Sequence, residues 1–418
     1  MNALAVTDLA LGSARSRRRA TLWQRTDKTL VLVTGALAAF GLVMVFSASE
    51  VLGWVDHQNA AYYFERQALW LALGAGLLYM AARLDYHRLR QLVVPLAVTS
   101  LLLLLLVLIP RLGVESYGAR RWLQLGPLTL QPAECVKLTG LLFMAAWLER
   151  RRARIGSLEE GVVPFLAIMA MVCGLIMLER DLGTTLVVAV ILLVQFMVGG
   201  GSKRHLALLC LIVVAAAALF IQIEPYRARR ILAFLDPFAD PLNTGFQSVQ
   251  SLLALGSGGL FGVGLGQSIQ KYQWLPFAHT DFIYAIIGEE TGLLGTTAVL
   301  GGFVLFVYRG FRIALRAPDF FGTLIATGIT SWVGFQAFVN IAAVTVTLPT
   351  TGIPLPFISY GGSSLAISLL AVGILINVAS QGEKVGWIRH ASVDLGRRYR
   401  RTPLSSDRSR PGSSTERP

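Results

Sequence analysis

The residues in this sequence able to do chemistry are carboxylates and guanidinium groups set at the edges of long apolar stretches. Asp281, closing the run Leu275-Pro276-Phe277-Ala278-His279-Thr280-Asp281, stands at the mouth of an apolar segment. Partial desolvation there raises a carboxylate pKa toward the range of a general base. The same aspartate can also cap a helix, and the two roles are compatible. Tyr226-Arg227-Ala228-Arg229-Arg230 gathers three guanidinium groups. Guanidinium suits bidentate capture of phosphate, which makes a pyrophosphate-bearing partner the economical explanation, with solvated charge as the rival. Glu134 and Lys137, three residues apart, share one helix face and can pair. Charges inside an apolar segment face a polar interior, whether they act chemically or only hold a helix start. Glu289 and Glu290, roughly 12 Å further along the helix that Asp281 opens, carry the same implication.

Two further segments belong with these. Glu179-Arg180-Asp181-Leu182-Gly183-Thr184 is a three-charge turn in which Asp181 either caps the helix from Leu182 or joins the site. Leu348-Pro349 through Ser359-Tyr360-Gly361-Gly362-Ser363-Ser364 is irregular backbone between apolar segments. At membrane depth such backbone is tolerated only where protein buries it or a cavity needs it. The glycines of 256–266 form neither a dinucleotide fingerprint nor a P-loop, since the strand–turn–helix context and the Lys-Ser/Thr pair are absent. They let backbone bend and approach closely.

The elements that must position these groups are membrane helices. Hydrophobic residues make up 54% of the chain, charged residues only 15%, and mean hydropathy is +0.61, a balance no soluble globule needs. Apolar windows at roughly 30–49, 68–83, 93–110, 132–148, 161–178, 182–199, 205–222, 282–308, 321–347 and 364–380 predict about ten transmembrane helices in an all-α integral membrane protein. A net charge of +13 could suggest nucleic acid, but position argues against it. Most of the 37 Lys and Arg fall in alternate short loops and in the two tails, which sets both termini inside. Three units follow: a basic N-tail (1–28), read as preceding an uncleaved first anchor; a polytopic domain (29–380) with a large outer loop at 223–281; and a basic, partly disordered C-tail (381–418). In the outer loop, Phe246, Val249, Leu252 and Leu253 at helical spacing predict a short interfacial helix. Cys135, Cys173 and Cys210 lie in apolar windows and read as packing residues.

Taken in order on this topology, the charged and Gly/Pro-rich segments resemble the SEDS family over about residues 30–380, and its cell-division branch more than its elongation branch. The most specific pieces are Glu224–Gly292, including Gln270-Lys271 and His279-Thr280-Asp281-Phe282, and the run Ser359–Ser364. The resemblance implies a peptidoglycan glycosyltransferase that polymerises lipid II at the outer face of the bacterial inner membrane, during septal wall synthesis. It implies a class B penicillin-binding transpeptidase and other divisome proteins as partners. Asp281 would be catalytic, with Arg121, Arg227, Arg229, Arg230, Lys271, His279, Ser359, Tyr360 and Ser363 around the pyrophosphate and substrate, and Glu134–Lys137 as a supporting intramembrane pair. The chain departs from the family pattern at Arg180, where proline is usual, and at Phe277, often acidic in the division branch. A divalent cation, Mg or Mn, could assist the pyrophosphate, although no ligand cluster in the sequence marks one. A lipid II flippase, a recruiting scaffold and an elongation-type polymerase are the competing readings.

Overall fold

The structure is a computed structural model. It describes residues 27–399 except 111, 117, 118, 127 and 224, and only the backbone of 116, 125, 128, 225–228 and 383–399. Gly118, the side chains of Tyr226 and Arg227, the N-tail before residue 27 and the tail after 399 therefore lie outside the description.

Ten helices stand where the ten apolar windows predict them: α1 (Lys28–His57), α2 (Tyr62–Arg83), α3 (Leu89–Leu108), α4 (Pro132–Arg150), α5 (Val163–Leu178), α6 (Leu182–Val198), α7 (Lys203–Ile223), then, beyond the outer loop, α10 (Ile283–Arg316), α11 (Phe320–Val344) and α12 (Gly362–Tyr399). The long 223–281 loop adds α8 (Pro225–Leu235) and α9 (Phe246–Ser257). Seven helical stretches among the described residues are long and apolar enough to cross a membrane, and α6 is a shorter apolar helix. α2, which opens with Glu65 and Arg66, and α4, with Glu134 and Lys137, carry charges within their length. α12 runs on to Tyr399, so the segment after residue 380 begins as helix rather than as a free tail.

α11 is the most enclosed span, with 78% of its apolar window buried, and α7 the least, with 6%. A central helix buried on all sides can carry polar residues only where they find partners. α11 does so with Thr330, Gln336 and Asn340.

Two local features were not legible beforehand. Residues 113–130 form a three-stranded antiparallel sheet, Gly113–Ser116, Ala119–Leu125 and Leu128–Leu130, in the order β1-β2-β3. Leu123, buried, and Gln124, exposed, fall on opposite faces as a pleated strand requires, and Gly126 takes φ 65° at the second turn. The second feature is a break in α10 at Gly292 (φ 67°, ψ −164°). Backbone groups released there are taken up by the glycine-rich loop: Leu293 N donates to Gly259 O at 2.9 Å, and Val263 N to Glu289 O at 2.9 Å. A Cβ at Gly262 would lie 2.1 Å from Glu290 O, so only glycine allows this approach.

That loop is also what Glu289 and Glu290 hold. Glu289 accepts from the Ser268 hydroxyl and from Ile269 N (2.9 Å), while Glu290 accepts from Ser47 Oγ at 2.6 Å. The two acids were expected to mark an open polar cavity. Instead they are buried against backbone amides and hydroxyls, and they fasten the loop to the broken helix. α9 forms as predicted, but it packs on α10 and α11 through Ser248, Val249, Ser251 and Ala254, leaving Leu253 exposed.

Candidate active site

Asp281 lies in the turn just ahead of α10 and is half-buried. Four segments distant in sequence converge on it. From 349–363, the Ser359 hydroxyl donates to Thr280 O at 2.6 Å and Tyr360 N donates to His279 O at 2.9 Å. A Cβ at Gly352 (φ 73°) would stand 3.7 Å from Asp281 Oδ2, so that glycine is adjacent to the carboxylate. From α11, Asn340 Nδ2 donates to Asp281 O at 2.7 Å. From the long loop, Arg230 Nη1 donates to Thr350 O at 3.0 Å. From β2, Arg121 donates to the carbonyls of Glu179 (3.2 Å) and Arg180 (2.6 Å), beside the start of α6. Gly183 lets that start pass close to the same loop, since a Cβ there would lie 2.9 Å from Thr351 O.

The electrostatics follow from this convergence. Burial pushes the Asp281 carboxyl up to about 6; Arg230 opposes the shift, Asp181 adds to it, and Arg121 opposes it. Burial also pushes Glu179 up to about 9, helped by Asp181 and opposed by Arg121. Glu179 is fully buried. Strain gathers at the same place. Arg180 (φ 59°), Phe277 (φ 59°) and Phe357 (φ 65°) hold left-handed backbone that costs a bulky residue about 1–3 kcal/mol. Proline, usual in SEDS proteins where Arg180 stands, cannot adopt that φ.

The expected site residues divide into two groups. Arg121 and Arg230 lie within electrostatic reach of Asp281, and Arg229 is exposed on the same loop. Lys271, Ser359 and Ser363 are instead buried and committed. Lys271 Nζ donates to Gly266 O at 2.7 Å and lies 3.6 Å from Glu50, Ser359 ties two turns, and Ser363 Oγ accepts from Gln131 N at 3.2 Å. His279 packs against Tyr63 and Tyr360, and burial pushes it down to about 4, so at neutral pH it is an uncharged ring and no cation for pyrophosphate. Asp181 caps α6, accepting from Thr184 N at 2.9 Å. Glu134 and Lys137 pair at 2.8 Å, fully buried. Among the described residues no group of three or more His, Cys, Asp or Glu is placed to hold a metal ion. Asn340 and Gln336 went unnoticed in the sequence, and Glu179 was read only as part of a three-charge turn. The two amides had a signal, because buried amides four apart in an apolar helix must find partners.

The profile of the family described as cell cycle protein (FtsW, RodA, SpoVE) matches residues 27–384. The probable peptidoglycan glycosyltransferase FtsW of Geobacter metallireducens is 40% identical over 358 residues, 86% of this chain and 96% of that protein. Stage V sporulation protein E of Bacillus subtilis is 42% identical over 355 residues, 84% of this chain and 96% of that protein. Among solved structures, Thermus thermophilus rod shape determining protein RodA aligns with TM-score 0.64 at 33% identity, covering 85% of this chain and 97% of that one. A chain from the structure described as "Structural coordination of polymerization and crosslinking by a peptidoglycan synthase complex" aligns with TM-score 0.69 at 34% identity, covering 85% and 98%. This multi-pass membrane protein belongs to the FtsW/RodA/SpoVE family of cell cycle proteins.

Proposed function

We propose that this chain is a peptidoglycan glycosyltransferase of the FtsW type, polymerising lipid II at the outer face of the bacterial inner membrane with Asp281 as general base. The observation that carries the reading is the placement of Asp281. It is a half-buried carboxylate whose pKa burial raises to about 6, within electrostatic reach of the Arg121 and Arg230 guanidinium groups. A base is most useful when its pKa lies near the working pH.

The chemistry needs little more. The acceptor sugar hydroxyl attacks the anomeric carbon of a pyrophosphate-linked donor, and Asp281 takes the hydroxyl proton. The bond from that carbon to the pyrophosphate oxygen breaks, and the lipid pyrophosphate leaves with the electron pair. Pyrophosphate is a good leaving group, so cationic groups suffice to stabilise it and no second carboxylic acid is required. Single displacement inverts the anomeric centre.

Glu289 is held by the Ile269 amide, Glu290 by the Ser47 hydroxyl and Lys137 by Glu134, and charges committed in this way support an enzyme over a flippase. The relative titled as a synthase complex coordinating polymerisation and crosslinking supports a class B penicillin-binding transpeptidase as partner. Position at the division septum, other divisome partners and termini on the cytoplasmic side complete the reading. Purified chain with its transpeptidase and labelled lipid II, resolved for glycan length, tests it: elongated, lysozyme-sensitive glycan is the expected product. Translocation without polymer would favour the flippase.

A further inference from the structure

Along α11, Trp332, Gln336 and Asn340 recur every four residues and stand above one another on one face. All three are buried. Gln336 Oε1 accepts from Lys137 Nζ at 2.9 Å and from Trp332 Nε1 at 2.8 Å, while its Nε2 donates to Pro354 O at 2.9 Å. One turn further, Asn340 Nδ2 spends one hydrogen on Ile353 O (2.8 Å) and the other on Asp281 O (2.7 Å). The amide orientations are fixed by their partners. Flipping either would set a carbonyl oxygen against carbonyl oxygens. A continuous polar ladder therefore runs from Glu134 and Lys137, through Gln336 and the 353–354 backbone, to Asn340 and the carbonyl of Asp281.

We propose that Asn340 is the positioning residue for Asp281, and that the buried Glu134–Lys137 pair serves as the foot of this ladder rather than as a proton-transferring couple. The proposal rests on the reading of Asp281 as general base.

The local backbone explains why a clamp is needed. Asp281 precedes the first turn of α10, so helix hydrogen bonding does not hold it. The facing loop contains Pro349, Pro354 and Pro356, none with an N–H to give, and Gly352 beside the carboxylate. Two side-chain amides from one rigid helix supply the missing donors to both walls of the cleft. Both amide hydrogens of Asn340 are thus spent on the two backbone carbonyls that flank the site. Lys137 is equally committed: its ammonium contacts Glu134 and Gln336 and lies 5.0 Å from the Trp332 ring centroid.

The test is steady-state polymerisation of lipid II by the full-length chain with its transpeptidase, alongside lipid II binding and a pH profile. Asn340→Ala and Asn340→Asp both remove the clamp, the second by facing a carboxylate with two carbonyls. Each is expected to lower kcat about 10–100-fold, with KM unchanged and the acid limb of the kcat profile displaced. Gln336→Leu combined with Asn340→Ala should lose far less than the product of the two single losses, because one ladder is cut twice. Glu134→Gln with Lys137→Met should retain more activity than either single change, which strands a buried partner. Retained lipid II binding verifies folding, and Asn340→Ser replaces any variant that fails it. Inactive Asp281→Asn beside Asn340→Ala at full kcat would overturn the positioning role alone. Active Asp281→Asn would overturn the base assignment and the positioning role together. A raised KM at unchanged kcat for Asn340→Ala would make Asn340 a binding group and also refute the proposal.

Discussion

The Ser359 hydroxyl joins two turns, donating to Thr280 O at 2.6 Å and accepting from Leu355 N at 2.8 Å, so it holds the residue next to Asp281. A hydroxyl spent in this way does not grip pyrophosphate. Ser359→Ala removes two hydrogen bonds of about 1 kcal/mol each. It should lower the melting temperature and reduce kcat by roughly tenfold, with lipid II affinity unchanged. Weakened lipid II binding at normal kcat would return Ser359 to the ligand contacts.

The pH profile of polymerisation carries a sign. Asp281 works as its carboxylate, and its pKa is raised to about 6. Activity should climb roughly tenfold per unit below that value and level off above about pH 7. Arg230 opposes the upward shift, so Arg230→Gln should move the limb to higher pH as well as weaken lipid II binding. A profile flat between about pH 5 and 8 would contradict the base assignment.

Glu179 offers a stability test independent of catalysis. Its proton is kept in the folded state up to about 9, against an ordinary value of 4.5, so the folded chain binds the extra proton between those values. The stability this group contributes is complete below 4.5 and lost as pH rises toward 9. Glu179→Gln has no proton to lose. Its melting temperature should exceed that of the unmodified chain at pH 8, and the gap should narrow toward pH 5. A lower melting temperature at pH 8 would show an ionised, paired Glu179.

Much of the architecture could be read from sequence because bilayer thickness constrains helix length tightly. The windows around 132–148 and 182–199 map directly onto α4 and α6. Asp281 was legible as a charge at the mouth of an apolar segment, and Arg121 and Arg230 as charges in the loops between such segments. Commitment was not. Ser363 and Lys271 look like ligand groups in one dimension, and only the fold shows them bonded to Gln131 N and Gly266 O. The break at Gly292 was equally hidden, because the loop that completes it lies some thirty residues earlier. The hairpin at 113–130 is too short and too mixed in polarity to stand out between apolar windows.

Topology is checked by single cysteines in a background lacking Cys135, Cys173 and Cys210. In intact spheroplasts, an impermeant thiol reagent should label Gln250→Cys, in α9, and spare Ser157→Cys, between α4 and α5. The reverse pattern would invert the orientation and remove Asp281 from the outer face.

The central claim is that Asp281 accepts a proton from the acceptor sugar, and Asp281→Asn tests it most directly. Asparagine keeps the size and can still form the local hydrogen bonds, but it cannot take the proton. Glycan formed from saturating lipid II, with the transpeptidase present, should fall by about 10²–10⁴-fold. Lipid II binding and the melting curve should remain near those of the unmodified chain, because the carboxylate's main work comes in the transition state. Near-normal polymer from Asp281→Asn would contradict the account.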